Sequence, residues 1–463
     1  MRRGKAGGFF LILLALGLPV HSAEAGAAET ADTAGNPLIL SPDEAVRRAL
    51  DSSLNLKKSL IDLSGAEYRA KRLWSELFPA ITGSAGTGYS SALFTGDGFS
   101  ADEKNVGFST GLGITLGFNA GIPYAMKNIR LAYQARLLSY EDARSQLEIQ
   151  VIKNFYGLIA DRENLNFLEE TLKLAEQQLD KNRIAFNNGL VRELVVLQGR
   201  LGVETARYNL SAARSAYLNG MGEFLALLGV EPDTEALLEG NMDVVRIEAD
   251  PELLVRDYLP RRPDIMGRRQ EIERLENAEK QTLLSSKAPS LSLSARWEGR
   301  DIDPFADVLS GTASVNIPID PWIPGTAKDQ ALRTAKADVE KAKLDLKSAE
   351  DSAAAQIRSL AANLRNSWDS IEIARLSLEV AERTHELAEQ GFRNGTVESL
   401  SLEDARNSLA DARQRLLRSK LAYQTMTLDL AAALNINWKD FLNNPPGTPP
   451  EIPEAPRDFR SKQ

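Results

Sequence analysis

Two proline-free stretches, residues 124–231 and 325–444, constrain the fold more than any other feature of the sequence. A proline inside a helix removes a hydrogen bond and clashes with the preceding turn, so its absence permits very long helices. Both stretches are rich in Ala, Leu, Glu, Lys, Gln and Arg, which favour helix. Helices of this length cannot be enclosed in a small globular domain. They must therefore pack along other helices.

A seven-residue repeat of apolar residues runs through each stretch. The repeat positions are Val151, Leu158, Leu165, Leu172, Leu179 and Phe186 in the first stretch, and Ile357, Leu364, Ile371, Leu378, His385 and Phe392 in the second. This spacing is typical of coiled-coil packing. His385 occupies a core position of the repeat, where we expect a packed histidine and not a metal ligand.

The two series lie 206 residues apart, which indicates an internal duplication. Thirteen residues between 186 and 228 are identical to the residues 206 positions further on. We predict a first repeat over 26–230, a linker over 231–262, a second repeat over 263–436 and a C-terminal segment with a proline-rich tail over 437–463. Each repeat has a short helix (about 56–78 or 264–287), two strands, a long helix (124–186 or 326–390) and a medium helix (193–228 or 399–434).

Four segments alternate apolar residues with Gly, Ser or Thr, at 80–94, 106–119, 289–298 and 311–319. Alternation over about ten residues suits strands of a membrane β-barrel, and it also suits a half-buried sheet of a soluble protein. In lipid, four strands would leave open edges with unpaired backbone groups. A barrel would therefore need several copies, and three copies would supply 12 strands.

The N-terminus and the composition restrict the compartment and the chemistry. Residues 1–25 have basic residues, an apolar run and an Ala-x-Ala site, which is the pattern of a cleaved signal peptide. A net charge of −9 without a basic cluster argues against binding to nucleic acid. The chain has no cysteine and two histidines, so we predict no catalytic residue, no metal site and no cofactor. The sequence also lacks a Gly-x-x-x-x-Gly-Lys phosphate-binding loop.

Several short motifs appear in the same order as in one known family. They are Ser41-Pro42-Asp43-Glu44-Ala45, Pro79 and Pro289 before strands, Arg262-Pro263-Asp264, Pro318-Ile319-Asp320, and the turns Phe186-x-x-Gly-Leu and Phe392-x-x-Gly-Thr. Together with the duplication, they make the chain resemble the TolC family of outer-membrane efflux proteins.

The resemblance implies a mostly helical α+β membrane protein with a duplicated helix–strand–strand–helix unit. It implies a homotrimer, in which an α-helical coiled-coil tunnel is topped by a shared 12-stranded β-barrel with four strands per chain. Such a protein sits in the outer membrane of a Gram-negative bacterium, in contact with its lipid. It is the passive exit duct of a tripartite efflux or type I secretion system, and iris-like movement of the helix tips opens it.

The resemblance also implies partners and site residues. A periplasmic adaptor would join the duct to an inner-membrane pump of the RND, ABC or MFS type. The residues expected to dock the adaptor are those of the tip turns: Phe186, Asn188, Gly189, Leu190, Phe392, Asn394, Gly395 and Thr396. The candidates for a pore gate are Asp404, Glu403, Glu398, Arg406 and Arg200. Of two acids expected near the second turn, Asp404 is present and Ser401 replaces the other.

Two other readings remain open at this point. A periplasmic coiled-coil adaptor would have one helical hairpin with flanking β modules, whereas two hairpins are predicted here. An exported hydrolase would need a nucleophile motif, and the sequence offers none. In the loop before the last strand, Asp301, Asp303 and Asp307 could bind a cation, but we expect a solvated loop.

Overall fold

The structure, a computed structural model, describes residues 38–91, 104–300 and 308–443. The predicted signal peptide, the loop aspartates 301, 303 and 307 and the tail from residue 445 lie outside the described residues. The elements of the first half are β1 (Leu38–Leu40), α1 (Pro42–Ser52), α2 (Leu54–Lys71), β2 (Ala80–Ser91), β3 (Lys104–Phe118), α3 (Ile122–Asn187) and α4 (Glu193–Leu227). Those of the second half are β4 (Ala236–Leu238), α5 (Pro251–Tyr258), α6 (Pro263–Lys287), β5 (Ser290–Arg300), β6 (Val308–Asn316), α7 (Ala327–Arg393), α8 (Ser399–Leu434) and α9 (Trp438–Asn443).

The two long helices, α3 and α7, contain 66 and 67 residues, which corresponds to about 100 Å each. Each forms an antiparallel hairpin with the helix that follows it, and α3 also packs against α8. The four helices therefore lie side by side in the order α4, α3, α8, α7. Among the described residues, no helix is both long enough and apolar enough to cross a membrane.

Polar contacts join the two hairpins along the seam between α3 and α8. Lys153 forms an ion pair with Asp429. Nearer the tips, Arg413 pairs with Glu170 at 3.5 Å. These two contacts show that α3 and α8 run antiparallel to each other. The turn after α3 and the turn before α8 therefore lie at the same end of the molecule.

Each repeat has its main hydrophobic core at the opposite end of its helical hairpin from the turn. In the first core, Phe155, Phe224 and Leu225 pack together with the parallel strands β1 and β4. In the second, Ile357, Tyr423 and neighbouring residues pack under α5 and α9. The sequence had predicted no element for β1, β4, α5 or α9.

The strands β2, β3, β5 and β6 form one antiparallel sheet in that order. Paired residues share a face, so Leu112 and Trp297 lie on an exposed apolar face with Ile81 and Ile114. The other face carries mostly Gly, Ser and Thr, together with the charged Arg296 and Glu298. In the described part of the chain, the outer edges of β2 and β6 have no partner strand.

Two predicted boundaries were wrong. The last strand was expected over 311–319, but β6 ends at Asn316 and a 3₁₀ turn follows at Asp320–Trp322. Pro318 explains this, because it has no N–H to donate to a neighbouring strand. The first short helix was expected to reach residue 78, but α2 ends at Lys71 and a 3₁₀ helix continues over Leu73–Leu77.

Candidate functional site at the helix tips

The turn between α3 and α4 is closed by backbone hydrogen bonds. Gly189 adopts a φ of 73°, a left-handed conformation that glycine accepts without steric cost. Its N–H donates to the carbonyl of Phe186 at 2.8 Å, and the N–H of Leu190 donates to the carbonyl of Ala185 at 2.8 Å. This is a Schellman motif, which satisfies the last carbonyls of the helix and reverses the chain.

The turn between α7 and α8 repeats this geometry 206 residues later. Gly395 also has a φ of 73°. Its N–H donates to Phe392 at 3.1 Å, and the N–H of Thr396 donates to the carbonyl of Gly391 at 2.8 Å. The Thr396 hydroxyl donates to the same carbonyl at 3.0 Å. The glycines of both turns therefore allow the left-handed backbone conformation that closes the turn.

The two tips differ in what they present. Leu190 is 76% exposed, whereas the equivalent Thr396 is a polar residue folded back on its own turn. Phe186 is exposed, while Phe392 is half-buried. The capping asparagines Asn188 and Asn394 are exposed in both turns. The first tip therefore offers an apolar contact and the second a polar one.

Arg406 on α8 is the gate candidate that joins the two hairpins. Its Nη1 donates to Gln178 Oε1 on α3 at 3.4 Å. Gln178 Nε2 donates to Asn182 Oδ1 at 2.8 Å, and Asn182 Nδ2 donates to the carbonyl of Val195 at the start of α4 at 3.4 Å. A chain of polar contacts therefore runs from α8 through α3 to α4, close to the tips.

The Arg406 guanidinium is only partly compensated in this position. Its Nε is buried without a hydrogen-bond partner. Burial lowers the pKa of Arg406, and the nearby Glu389 and Glu403 oppose that effect. Glu403 lies against α4, since a Cβ on Gly202 would be 3.4 Å from its Oε1. Arg406 is only half-buried, and its hydrogen bond to Gln178 and the two nearby carboxylates compensate part of the burial cost of its charge.

The structure does not bring the other gate candidates to this junction. Asp404, Glu398 and Arg200 are exposed and form no ion pair with any residue that the structure describes. Asp404 and Arg406 are two residues apart on one helix, so their side chains point to different sides. The five gate candidates therefore do not all meet at one place within a single chain, and their part in a gate stays a prediction.

His385 lies near enough to Arg406 for the two side chains to interact electrostatically. It is half-buried on α7. Burial lowers the pKa of His385, and the positive charge of Arg406 lowers it further. Within the described ranges, no group of three or more His, Asp or Glu side chains is arranged to hold a metal ion.

Sequence reasoning missed three residues of this region: Gln178, Asn182 and Gly391. Asn182 is only 6% exposed and lies three residues after Leu179, at a seam position where coiled coils prefer apolar side chains. A buried polar residue at such a position was the available signal. Gly391 gave no signal, because its role depends on how closely Val397 packs against it.

Comparison with known proteins identifies the family to which this chain belongs. The family model described as outer membrane efflux protein matches residues 45–230 and 254–435, one match for each repeat and more than half of the chain. The chain belongs to the outer membrane efflux protein family. The resemblance to TolC-like proteins seen in the sequence is thereby confirmed.

Solved structures confirm the fold of this efflux protein. The CmeC outer membrane channel of Campylobacter jejuni superposes with a TM-score of 0.70 at 18% identity, covering 85% of this chain and 85% of that one. VceC of Vibrio cholerae gives 0.69 at 17% identity, with 86% and 96% covered. The open state of MtrE of Neisseria gonorrhoeae gives 0.70 at 17%, with 85% and 89% covered. No curated protein matches the chain significantly in sequence.

These matches confirm the predicted fold class, a helical tunnel with a β-barrel built from a duplicated unit. They also indicate an outer-membrane location for the efflux protein. The family and its solved neighbours are channels and not enzymes. The two hairpins of the structure also disagree with an adaptor, which was expected to have one.

Proposed function

We propose that three copies of this chain form a passive exit duct through the outer membrane and the periplasm. The main support for the proposal is that, among the described residues, each side of the chain ends in one helix and one strand edge that lack a neighbour on their outer side. On one side lie α4 and the outer edge of β2, and on the other lie α7 and the outer edge of β6.

Each edge helix carries an apolar stripe that the chain itself leaves exposed. The stripe residues on α4 are Leu194, Leu197, Leu201 and Tyr208, and those on α7 are Ile373, Leu376, Val380 and Leu387. All are more than half exposed, and they recur at coiled-coil spacing. Apolar stripes of this size mark protein contacts. If α4 of one copy packs against α7 of the next, three copies close a ring of helices and a 12-stranded barrel.

The duct conducts without chemistry of its own. The polar face of the sheet, with its Gly, Ser and Thr residues, would line the barrel, and the apolar face would meet lipid. The tips would be closed at rest and would open as the contact between Arg406 and Gln178 separates. The turn residues around Leu190 and Thr396 would dock a periplasmic adaptor. Through the adaptor, an inner-membrane pump of the RND, ABC or MFS type would supply the energy for efflux or type I secretion.

Charge placed in the stripes tests the trimer. We expect Leu201→Glu or Val380→Glu to convert purified trimers to monomers, because each would bury a carboxylate at a subunit contact. Gln177→Glu adds the same charge to α3, which is not an edge helix, and is the matched control. Size-exclusion chromatography with light scattering measures the result. Trimers that survive both stripe substitutions would contradict this arrangement.

A further inference from the structure

The hairpin of α7 and α8 has a polar groove on the face that its core leaves bare. The second core lies on one face of the hairpin, where the rings of Tyr423 and Trp368 meet edge-to-face at 5.2 Å. Ser370 follows Trp368 by two residues, about 200° further around the helix, and therefore faces the other way. A groove of about 490 Å³ opens there between the two helices. It is lined by Asn366, Ser367 and Ser370 of α7 and by Arg415, Arg418 and Ser419 of α8.

The first hairpin is bare on the same side. Arg162 on α3 donates to the carbonyl of Leu238 on β4 at 2.6 Å, so its side of α3 faces the first core. Asn164, two residues later, lies on the opposite side and accepts from Gln414 Nε2, at the edge of the groove, at 3.5 Å. The four helices therefore form a layer with both cores on one face and the groove on the other.

Closure of the duct would turn the groove toward its lumen. The strands β1 and β4 and the helices α5 and α9 pack on the core face of the layer. If that face lay inside a ring of three copies, these elements would fill the duct. The core face must therefore lie outside, and the groove opens into the passage through which cargo moves.

Two arginines of the groove have no partner in the described part of the chain. Arg415 and Arg418 form neither an ion pair nor a hydrogen bond with any residue that the structure describes. They are three residues apart on one helix, so their side chains are neighbours. Asp411, one turn before Arg415, also lines the groove, and it is not paired with either arginine. Two arginines and one aspartate leave a net charge of +1 in the groove of each copy.

The facing side of α7 supplies no acid to neutralise this charge. Asn363, Ser370, Ser377 and Thr384 recur at intervals of seven residues, so they share one face of α7. All four are polar and uncharged. The side of α7 that borders the groove therefore offers hydrogen-bonding groups and no counter-ion.

We propose that this groove binds anions that carry carboxylate or phosphate groups, and that it gives the duct a preference for acidic cargo. Guanidinium groups bind both kinds of oxyanion through paired hydrogen bonds. Arg415 and Arg418 would share one polyvalent anion, and the hydroxyls of the groove serines would add donors. Three copies, with two arginines each, would place a ring of positive charge at one level of the lumen. The inference rests on the proposed trimeric duct.

The chemistry of the groove favours a small anion over a protein partner. Ala422 is the one apolar side chain among the residues that line it, whereas the centre of a protein interface is apolar. Like charges one turn apart on a helix destabilise it, so an anion between Arg415 and Arg418 would relieve their repulsion. The lone carboxylate of Asp411 is outnumbered by donors, which argues against a cation.

The reversal potential across a planar bilayer tests the preference for anions. In a KCl gradient, we expect Arg415→Gln/Arg418→Gln to lower the ratio of chloride to potassium permeability about threefold, because fixed charges concentrate counter-ions in a channel. Arg375→Gln is the matched control, since Arg375 lies over the Trp368 ring on the core face of α7. Equal permeability ratios for the double variant and the unmodified trimer would overturn the proposal.

Anion binding tests the groove without a bilayer. Isothermal titration calorimetry of the detergent-solubilised full-length protein, with citrate and inorganic phosphate as probes, should show about tenfold weaker binding for Arg415→Gln/Arg418→Gln. Arg375→Gln should bind both probes like the unmodified protein. Binding of equal strength in the double variant, or no binding by the unmodified protein, would overturn the assignment of the groove. A protein that binds citrate through both arginines and yet gives no conductance would count against the duct and not against the groove.

Discussion

The side chain of Val397 occupies the space in which a side chain on Gly391 would begin. A Cβ on Gly391 would lie 2.4 Å from Val397 Cγ2, closer than real side chains approach. The equivalent position in the first repeat is Ala185, so the two turns are not interchangeable. The second turn is tighter, and it lies beside the junction formed by Arg406.

Gly391→Ala is expected to loosen the second turn. Overpacking costs about 1–3 kcal/mol, which exceeds the gain of up to about 1 kcal/mol from replacing glycine in a helix. Hydrogen exchange of the amides of 392–397 should therefore accelerate. The double variant Gly391→Ala/Val397→Ala should return the exchange toward that of the original protein. Slower exchange in the single variant would show that Val397 moves aside freely.

Arg406→Met is expected to make the tips open more often. It removes the hydrogen bond of 3.4 Å that Arg406 on α8 donates to Gln178 on α3. A loss of about 1 kcal/mol would shift the balance of closed and open states by about fivefold. Planar-bilayer recordings should show a higher open probability. Arg214→Met removes an exposed arginine of α4 that is not a gate candidate and serves as the control. An unchanged or lower open probability for Arg406→Met would contradict the proposed gate.

His385 should make the tip region less stable below neutral pH. Burial lowers the pKa of His385 in the folded protein, so the unfolded state takes up the proton first. Neutral His385 contributes its full share of folding stability above the ordinary histidine pKa of about 6.5. That stability is lost as the pH falls through this value toward the lower pKa of the folded state. Between about pH 7.5 and about pH 5.5, the protection factors of amides around residue 385, which are corrected for the intrinsic pH dependence of exchange, should fall. His385→Gln should reduce that dependence, and an equal dependence in both proteins would refute it.

Gly229 and Asn435 end α4 and α8 in the same left-handed conformation, with φ values of 72° and 54°. Alanine strains the backbone at either position by about 1–2 kcal/mol. At Gly229 it would also place its Cβ 2.4 Å from the Cβ of Ser52. Gly229→Ala should therefore lower the melting temperature more than Asn435→Ala does. Thermal unfolding followed by circular dichroism measures this, and the reverse order would disprove the argument.

The long helices, the turns and the sheet could be predicted because each depends on a local pattern. The heptads from Val151 to Phe186 require a long helix in any context, and Asn-Gly at 188–189 requires a turn. The end of β6 was misplaced because Ile317 and Ile319 continue the alternation although Pro318 cannot pair. In that case, one missing N–H outweighed the apolar pattern.

The site was harder to predict, because it depends on contacts between distant segments. Arg406 and Asp404 look alike as charged residues near a turn, and only packing shows that Arg406 faces α3 while Asp404 is exposed. Gln178 and Arg406 are 228 residues apart in the sequence. The pairing of β1 with β4 is equally non-local, with three residues in each strand.

Recording ion conductance from the purified full-length protein in planar lipid bilayers tests the central claim most directly. We expect trimers that resist detergent and insert to give discrete, long-lived conductance steps, and we expect Leu201→Glu to abolish both. A protein that remains a water-soluble monomer and produces no conductance would contradict it.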